Sequence, residues 1–353
     1  MPISVDFLPV GDSNGDAIII KYGQGDNFYL QVVDGGYTQV GEEMIEHIES
    51  HYGKDIIIAD MVVSHADNDH AKGLIPVFKH FRVANLWMNR PWLYANEVID
   101  QFHGNFTVDG WIEYVRDEHE YLVELEVLAR ARGMEPKEVF RGAQIGPFHV
   151  LAPSRERYVA LIPDLDKTPP PYKSETAGLG KGLFELARNV LDAIKETMDI
   201  ETLDNNPPAT SASNEASVVQ LGLYDNKKIL LTADVGPAGL TEAAEYAKAR
   251  GFLGPPDMIQ IPHQGSRRNV TPAVLNAWLG EPNGGNPRRG AALVMVGKNK
   301  TEHPRKKVKN AFIRRGYPVF VTRSTSWMHM PYGYDLRGSP MTAEPFSYDV
   351  EED

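Results

Sequence analysis

Residues 64–73 read SHADNDHAKG and follow directly on the apolar run Ile56-Ile57-Ile58-Ala59-Asp60-Met61-Val62-Val63. A buried strand that ends in His65, Asp67, Asp69 and His70 constrains this chain more than any other feature. Clustered carboxylates and imidazoles are costly unless a cation neutralises the negative charge. Zinc, manganese and iron are the ions that suit a mixed imidazole and carboxylate set. The alternative is a polar helix start, with Asp67 or Asp69 capping a helix that begins near Ala71.

At 353 residues the chain exceeds the usual single domain, which predicts one large domain with an insertion, or two domains. There is no apolar run of about 18 residues and hence no expected membrane span. The N-terminus, Met1-Pro2-Ile3-Ser4-Val5-Asp6-Phe7, lacks a basic region followed by an apolar stretch, so a cytoplasmic location is expected. With zero cysteines, disulfides and thiolate metal sites are excluded, and any metal must be held by His, Asp, Glu or Asn. The formal charge of −12 argues against a general basic coat for nucleic acid. Charge is uneven, however: Lys298, Lys300, Arg305, Lys306, Lys307, Lys309, Arg314 and Arg315 lie close together in sequence against the single acid Glu302. Such a stretch suits a phosphate-bearing ligand at short range, and a solvated helix explains the same residues.

The N-terminal third reads as a meander of strands at Val5–Val10, Ala17–Tyr22 and Phe28–Val33, ending in the turn Asp34-Gly35-Gly36. A helix is predicted over Gly41–Tyr52. From residue 91 to 205 the texture becomes mainly helical, over Trp111–Arg132 and Leu183–Met198, with a strand pair near Ile145–Leu151 and a proline-rich exposed linker over Pro163–Lys173. Strand texture returns at Ser217–Leu223 and Lys228–Thr232, the second ending at Asp234. After a helix over Leu240–Ala249, the strand Met258–Ile261 delivers Pro262-His263-Gln264-Gly265-Ser266. Further strands at Ala291–Val296 and Pro318–Thr322 flank the basic stretch.

A strand-end cluster, then a lone Asp after an apolar strand, then a lone His after another, resembles the metallo-β-lactamase superfamily. FLPVGDSNGDAIII is similar to the family opening F-L-x-V-G-x-G-D-A-x-L-I, and VVDGG to its I-D-G-G turn. SHADNDHAKGL resembles the S-H-x-D-x-D-H-x-G-G-L of the hydrolase domain of the DNA-uptake protein ComEC and its free-standing relatives. SNEASVVQL, ILLTADV, IPHQGS and TEHP resemble their N-N-x-S-L-V-L, L-L-T-G-D, V-P-H-H-G-S and G-H-P. The resemblance covers residues 3–90 and 210–325. It implies an α/β fold, a four-layer αββα sandwich with a mainly helical insertion. The divisions are 1–90 and 206–340 as its two halves, 91–205 as the insertion and 341–353 as a solvated acidic tail.

The resemblance further implies two divalent cations, zinc or manganese with magnesium as a harder option. One is held by His65, Asp67 and Asp234, the other by Asp69, His70, His263 and the same bridging Asp234. Two cations about 3.5–4 Å apart lower the pKa of a water between them enough to give hydroxide at neutral pH. Asn214 is the positional candidate for a further ligand, and Asp34 and Asp16 for orienting groups behind the ligands or for turn capping. Asp67 replaces the superfamily's usual His, which makes the first site oxygen-rich and favours a harder metal. Gln264 replaces a second imidazole, and the opening loop Gly11–Gly15 is longer than the family's V-G-x-G. With Asp69, His303 is assigned a catalytic role, as the acid for a leaving oxygen or as a phosphate contact. Lys298, Arg305, Lys306 and Lys307 are expected to hold substrate phosphate. The function expected is a metal-dependent phosphodiesterase or nuclease whose partner is nucleic acid or another phosphodiester, not a membrane. The alternatives are a hydrolase of small esters, lactams or nucleotide phosphodiesters, and a non-catalytic metal-binding module.

Overall fold

The computed structural model describes residues 2–102, 104, 106–169, 194–329 and 341–351. In chain order the strands are β1 (Ile3–Phe7), β2 (Ala17–Gln24), β3 (Asn27–Gly35), β4 (Ile57–Val62), β5 (Arg82–Trp87), β6 (Gln144–Ile145), β7 (Phe148–Ala152), β8 (Ile194–Lys195), β9 (Val219–Tyr224), β10 (Lys227–Leu231), β11 (Met258–Gln260), β12 (Ala291–Val294), β13 (Val319–Val321), β14 (Trp327–His329) and β15 (Asp349–Val350). The predicted meander forms β1–β3, to which β4 and β5 add in parallel and β14 adds antiparallel at the other edge. The second sheet runs β13-β12-β11-β10-β9-β7-β6, parallel from β13 to β10 and antiparallel beyond.

Period-2 alternation decides which way each strand of the second sheet faces. Ile229, Leu231, Met258, Leu293 and Met295 pack into a core shared with the first sheet. Leu230, Ile259, Ala292 and Val294 point the other way, onto Leu240, Ala243, Val274, Trp278, Val308 and Phe312. Those residues come from the helices Pro237–Ala249, Pro272–Leu279 and Lys306–Arg314. The helix Thr38–Tyr52 buries Val40, Met44 and Ile48 at helical spacing and, with Leu74–His80, covers the first sheet. The result is the four-layer αββα sandwich. No helix among the described residues is long and apolar enough to cross a membrane.

Between residues 91 and 205 the chain departs from a purely helical insertion. The predicted helix over 111–132 is two helices, Val108–Glu118 and Glu120–Ala131, meeting at His119. β6 and β7 are part of the second sheet, because Phe148, Val150, Leu151 and Ala152 are all apolar and bury both faces. The expected proline linker begins instead as packed chain: Ile162, Pro163 and Leu165 are buried, and its residues from 170 onward lie outside the described residues. The helix expected over Leu183–Met198 lies outside them up to residue 193, and Ile194–Lys195 is strand.

The expected solvated tail is docked in part over residues 344–351, although Tyr348 and Asp349 stay exposed. β15 pairs antiparallel with β8, Val350 is buried, and the Glu344 amide donates to Val319 O at 2.8 Å. Its carboxylates meet the basic helix: Lys309 pairs with Glu344 at 3.4 Å, and the Lys307 amide donates to Glu351 at 3.2 Å.

Candidate metal centre

The Val63 amide donates to Trp87 O at 2.9 Å, which carries the β4–β5 ladder one step further and delivers Ser64 and His65 at its end. A short helix, Asn68–Ala71, follows at once. Asp67 has the backbone conformation of its N-cap, yet its side chain makes no capping hydrogen bond. Asp67 Oδ2 lies 3.5 Å from His65 Nε2 instead, so the plain capping explanation fails. The helix is pressed onto the Asp34 turn through glycines: a Cβ on Gly73 would sit 1.8 Å from Gly35 O.

Asp34 adopts φ 56° and is fully buried. Its carboxylate accepts from the Ser64 amide at 2.8 Å, from Ser64 Oγ at 2.5 Å and from His70 Nδ1 at 2.8 Å. Ser64 Oγ is also 3.0 Å from His65 Nδ1. Occupying both Nδ1 atoms fixes the tautomers and leaves each Nε2 as a lone-pair donor. Both Nε2 atoms are buried without a hydrogen-bond partner, and the two rings are 4.1 Å apart.

Asp234 follows β10 and is 2% exposed, with Oδ2 at 3.5 Å from His70 Nε2. The ligand atoms of His65, His70 and Asp234 all lie within 4.8 Å of one another. His263, after β11, donates from Nδ1 to Asp234 Oδ2 in a short contact. Gln264 Nε2 reaches Asp234 Oδ1 at 3.4 Å, and Asn269 Nδ2 holds its backbone carbonyl at 2.8 Å. Ala233, His263 and Gln264 share the positive φ of Asp34, a conformation that costs energy in residues other than glycine and that gathers at functional sites.

Opposing charges dominate the electrostatics. Burial pushes the Asp234 carboxyl up, but His263 and His70 outweigh it and hold it well below the usual range. Burial lowers His70, and Asp234 and Asp34 more than reverse this, so its pKa is raised well above the ordinary value. Burial pushes the half-buried Asp67 up, but His65 beside it outweighs this and holds it down to about 2. Burial raises Asp69, whose carboxyl feels His70, Asp234, His65 and Asp67 together. Without a cation, protons on the imidazoles must balance the carboxylates. The unpartnered Nε2 atoms, the buried carboxylate between them and the mixed donor set fit a divalent cation in that place.

The remaining expected residues divide. Asn214 is buried, with Nδ2 at 2.9 Å from Thr210 Oγ1 and 3.3 Å from His263 Nδ1, so it stands beside His263. Asp16 is buried behind His70, at 3.9 Å from Nδ1, and accepts from Gln260 Nε2 at 2.6 Å. Burial raises its pKa to about 7. His303 lies on a turn packed against the His263 segment: a Cβ on Gly265 would be 2.4 Å from Pro304 Cβ, and the Arg305 amide donates to Gly265 O at 3.0 Å. His303 Nδ1 is buried and unpartnered, and burial, then Arg305, lowers its pKa.

Half of the basic stretch is turned inward. Lys307, Lys309, Arg314 and Arg315 are buried. Arg314 pairs with Glu196 at 3.0 Å, and Arg315 with Glu201 at 2.7 Å. Helical periodicity turned half of the basic side chains inward, where acids from distant segments pair with Lys309, Arg314 and Arg315. Of the four residues expected to hold phosphate, Lys307 is buried, whereas Lys298 and Lys306 are exposed and Arg305 partly so.

Sequence reasoning missed Ser64, Gln260, Asn269 and Lys167. Ser64 directly precedes His65, and Gln260 is a polar residue among Met258, Ile259 and Ile261, so both left a trace. Gln260 Oε1 accepts from the amides of Thr232 and Ala233 at 2.9 and 3.1 Å while its Nε2 holds Asp16, which ties the Asp234 loop to the opening loop. Asn269 and Lys167 left no signal.

No family model and no curated protein matches the chain. Solved structures similar to it are metallo-β-lactamase fold proteins. Zn(2+)-bound PqqB from Methylobacterium extorquens is 11% identical with a TM-score of 0.43, over 92% of this chain and 99% of that one. The metallo-beta-lactamase fold protein YhfI from Bacillus subtilis is 12% identical with a TM-score of 0.38, over 93% of this chain and 100% of that one. The dizinc quorum-quenching lactonase AidC is 12% identical with a TM-score of 0.28, over 62% of this chain and 56% of that one. At this similarity they say nothing of this chain's own chemistry, which rests on the residues described above.

Proposed function

We propose that this protein is a metal-dependent hydrolase that cleaves a phosphodiester. The observation that carries the metal reading is the pair of buried, unpartnered Nε2 atoms of His65 and His70 facing Asp234. A divalent cation, when bound, polarises the ester oxygen and makes water acidic enough to attack at neutral pH. His65, His70 and Asp234 would hold it, with Asp67, Asp69 and His263 arranged around them. Asp34 and Ser64 keep both imidazoles in the tautomer that presents Nε2. Asp16 and Gln260 brace the same cluster from behind.

Phosphate is favoured by His303, whose unpartnered Nδ1 sits on the turn packed against the His263 segment, near Arg305. An anionic substrate next to this imidazole raises its pKa, so it takes up a proton as substrate binds and releases it to the leaving oxygen. Burial of Lys307, Lys309, Arg314 and Arg315 supports a second reading of substrate size, a compact nucleotide or other small phosphodiester in place of a nucleic-acid tract.

The test is hydrolysis by protein loaded with manganese or zinc, offered bis(p-nitrophenyl) phosphate, single-stranded DNA and a neutral lactone. Phosphodiester cleavage that Asp234→Asn abolishes is expected, with His303→Ala lowering kcat roughly tenfold or more. Lactone cleavage alone would overturn the phosphodiester reading. A steep salt dependence of DNA affinity would favour nucleic acid over a small substrate.

A further inference from the structure

Lys167, from the insertion, lies on the loop that carries the centre. Its Nζ donates to Asn68 Oδ1 at 2.8 Å and to Ala66 O at 3.2 Å, between and beside His65, Asp67, Asp69 and His70 in sequence. Both acceptors are neutral. An ammonium has three N–H donors, so these two bonds leave one unassigned. Among the described residues no carboxylate oxygen pairs directly with this half-buried charge. A partly desolvated cation without a direct counter-charge is unfavourable by itself and is stabilised by an arriving anion.

The surroundings fix where that anion would sit. Lys167 lines the same recess as His65, Asp67, Leu122, Tyr158 and Leu165, which places it beside the candidate ligands. Burial lowers its pKa, and Asp67 is the strongest charge opposing that. When a cation engages Asp67 and Asp69, their negative charge is no longer available to Lys167. Of the carboxylates that act on its ammonium, Glu120 and Glu118 then remain, neither of them in direct contact with it.

The geometry points to Lys167 as a substrate-binding residue, supplied by the insertion, that holds a non-bridging phosphoryl oxygen of the substrate next to the metal centre. This rests on the phosphodiester reading above. It gives the insertion a function: the sandwich supplies the ligands, and the insertion supplies the cation that selects an anionic substrate. The basic helix Lys306–Arg314, largely buried, cannot take that role.

Inorganic phosphate titrated calorimetrically onto manganese-loaded protein tests the assignment without turnover. Lys167→Met is expected to weaken phosphate binding roughly ten- to hundredfold, the loss typical of a charge-assisted hydrogen bond, with manganese content unchanged by elemental analysis. Lys167→Arg, which keeps the charge, is expected to retain most of the affinity. In kinetics the ratio of kcat/KM for bis(p-nitrophenyl) phosphate over p-nitrophenyl acetate falls by a similar factor in Lys167→Met, through KM more than kcat. Wild-type phosphate affinity in Lys167→Met, loss of manganese from it, or a change in acetate affinity alone would each overturn the proposal. If wild type hydrolyses neither ester yet its phosphate binding depends on Lys167, the hydrolase reading falls and the anion site stands. If the phosphodiester is cleaved and Lys167→Met binds phosphate normally, the reverse holds.

Discussion

Ser64 links two side chains that a bound cation would need in fixed positions. Its hydroxyl donates to Asp34 and accepts from His65 Nδ1, so one carboxylate orients His70 directly and His65 through a single hydroxyl. Groups of this kind typically contribute ten- to hundredfold to metal affinity by fixing ligand orientation. Ser64→Ala is therefore expected to weaken manganese or zinc binding by about that factor in calorimetric titration, and Ser64→Thr to restore it. Equal affinity in Ser64→Ala would show that the hydroxyl only fills space. His65, Asp67, Asp69 and His70 were legible because they crowd into one short stretch after an apolar strand. Ser64 was quoted within that motif, but its role depends on Asp34, thirty residues earlier in the chain, and on the turn that brings them together.

At the scale of elements, the helix Lys306–Arg314 shows how periodicity can reverse a charge argument. Arg314 is 1% exposed and bonds Glu196 and the carbonyls of Thr197 and Ile200; Glu196 is 0% exposed. Removing one partner leaves the other charge buried and unpaired, which costs about 3–5 kcal/mol. Arg314→Met should therefore lower the urea unfolding midpoint strongly. Adding Glu196→Met to it should recover much of the loss, since apolar replacement of both partners removes the stranded charge. If Arg314→Met alone were neutral, the pair would not be the buried, dehydrated contact described. Charge density was visible in the sequence, and so was the helix. Which side of it faces the core was set by Val308, Ala311 and Phe312, packed against the second sheet, and by acids far away in the chain.

At the scale of the whole molecule, stability is set in part by a buried group in the insertion that titrates. His119, between the two insertion helices, is 2% exposed and bonds Val115 O at 2.7 Å. Burial lowers its pKa from 6.5 to about 4. Between those values the unfolded chain binds a proton that the folded one excludes. Its contribution to stability is thus complete above pH 6.5 and is lost as pH falls towards 4, to a limit of about 3 kcal/mol. The urea midpoint should fall from pH 7.5 to pH 5, and His119→Leu should flatten that fall. An equal fall in both proteins would assign it to other groups.

The sequence by itself determined the strand and helix textures, the absence of thiolate ligands and the strand-end residues of the candidate centre. Each of these is a local matter: apolar period, turn residues and ligand types are all written within a few positions of one another. Only the tertiary structure decided which groups surround those residues. It placed Asp34 and Ser64 behind the imidazoles, brought His303 onto the Gly265 turn, joined β6 and β7 to the second sheet and docked the acidic tail as β15. It also buried half of the basic stretch and set Lys167 on the ligand loop. The physical reason is that burial and charge pairing depend on neighbours distant in sequence, and a half-buried ammonium or a sequestered arginine carries no local mark of where its counter-charge will be.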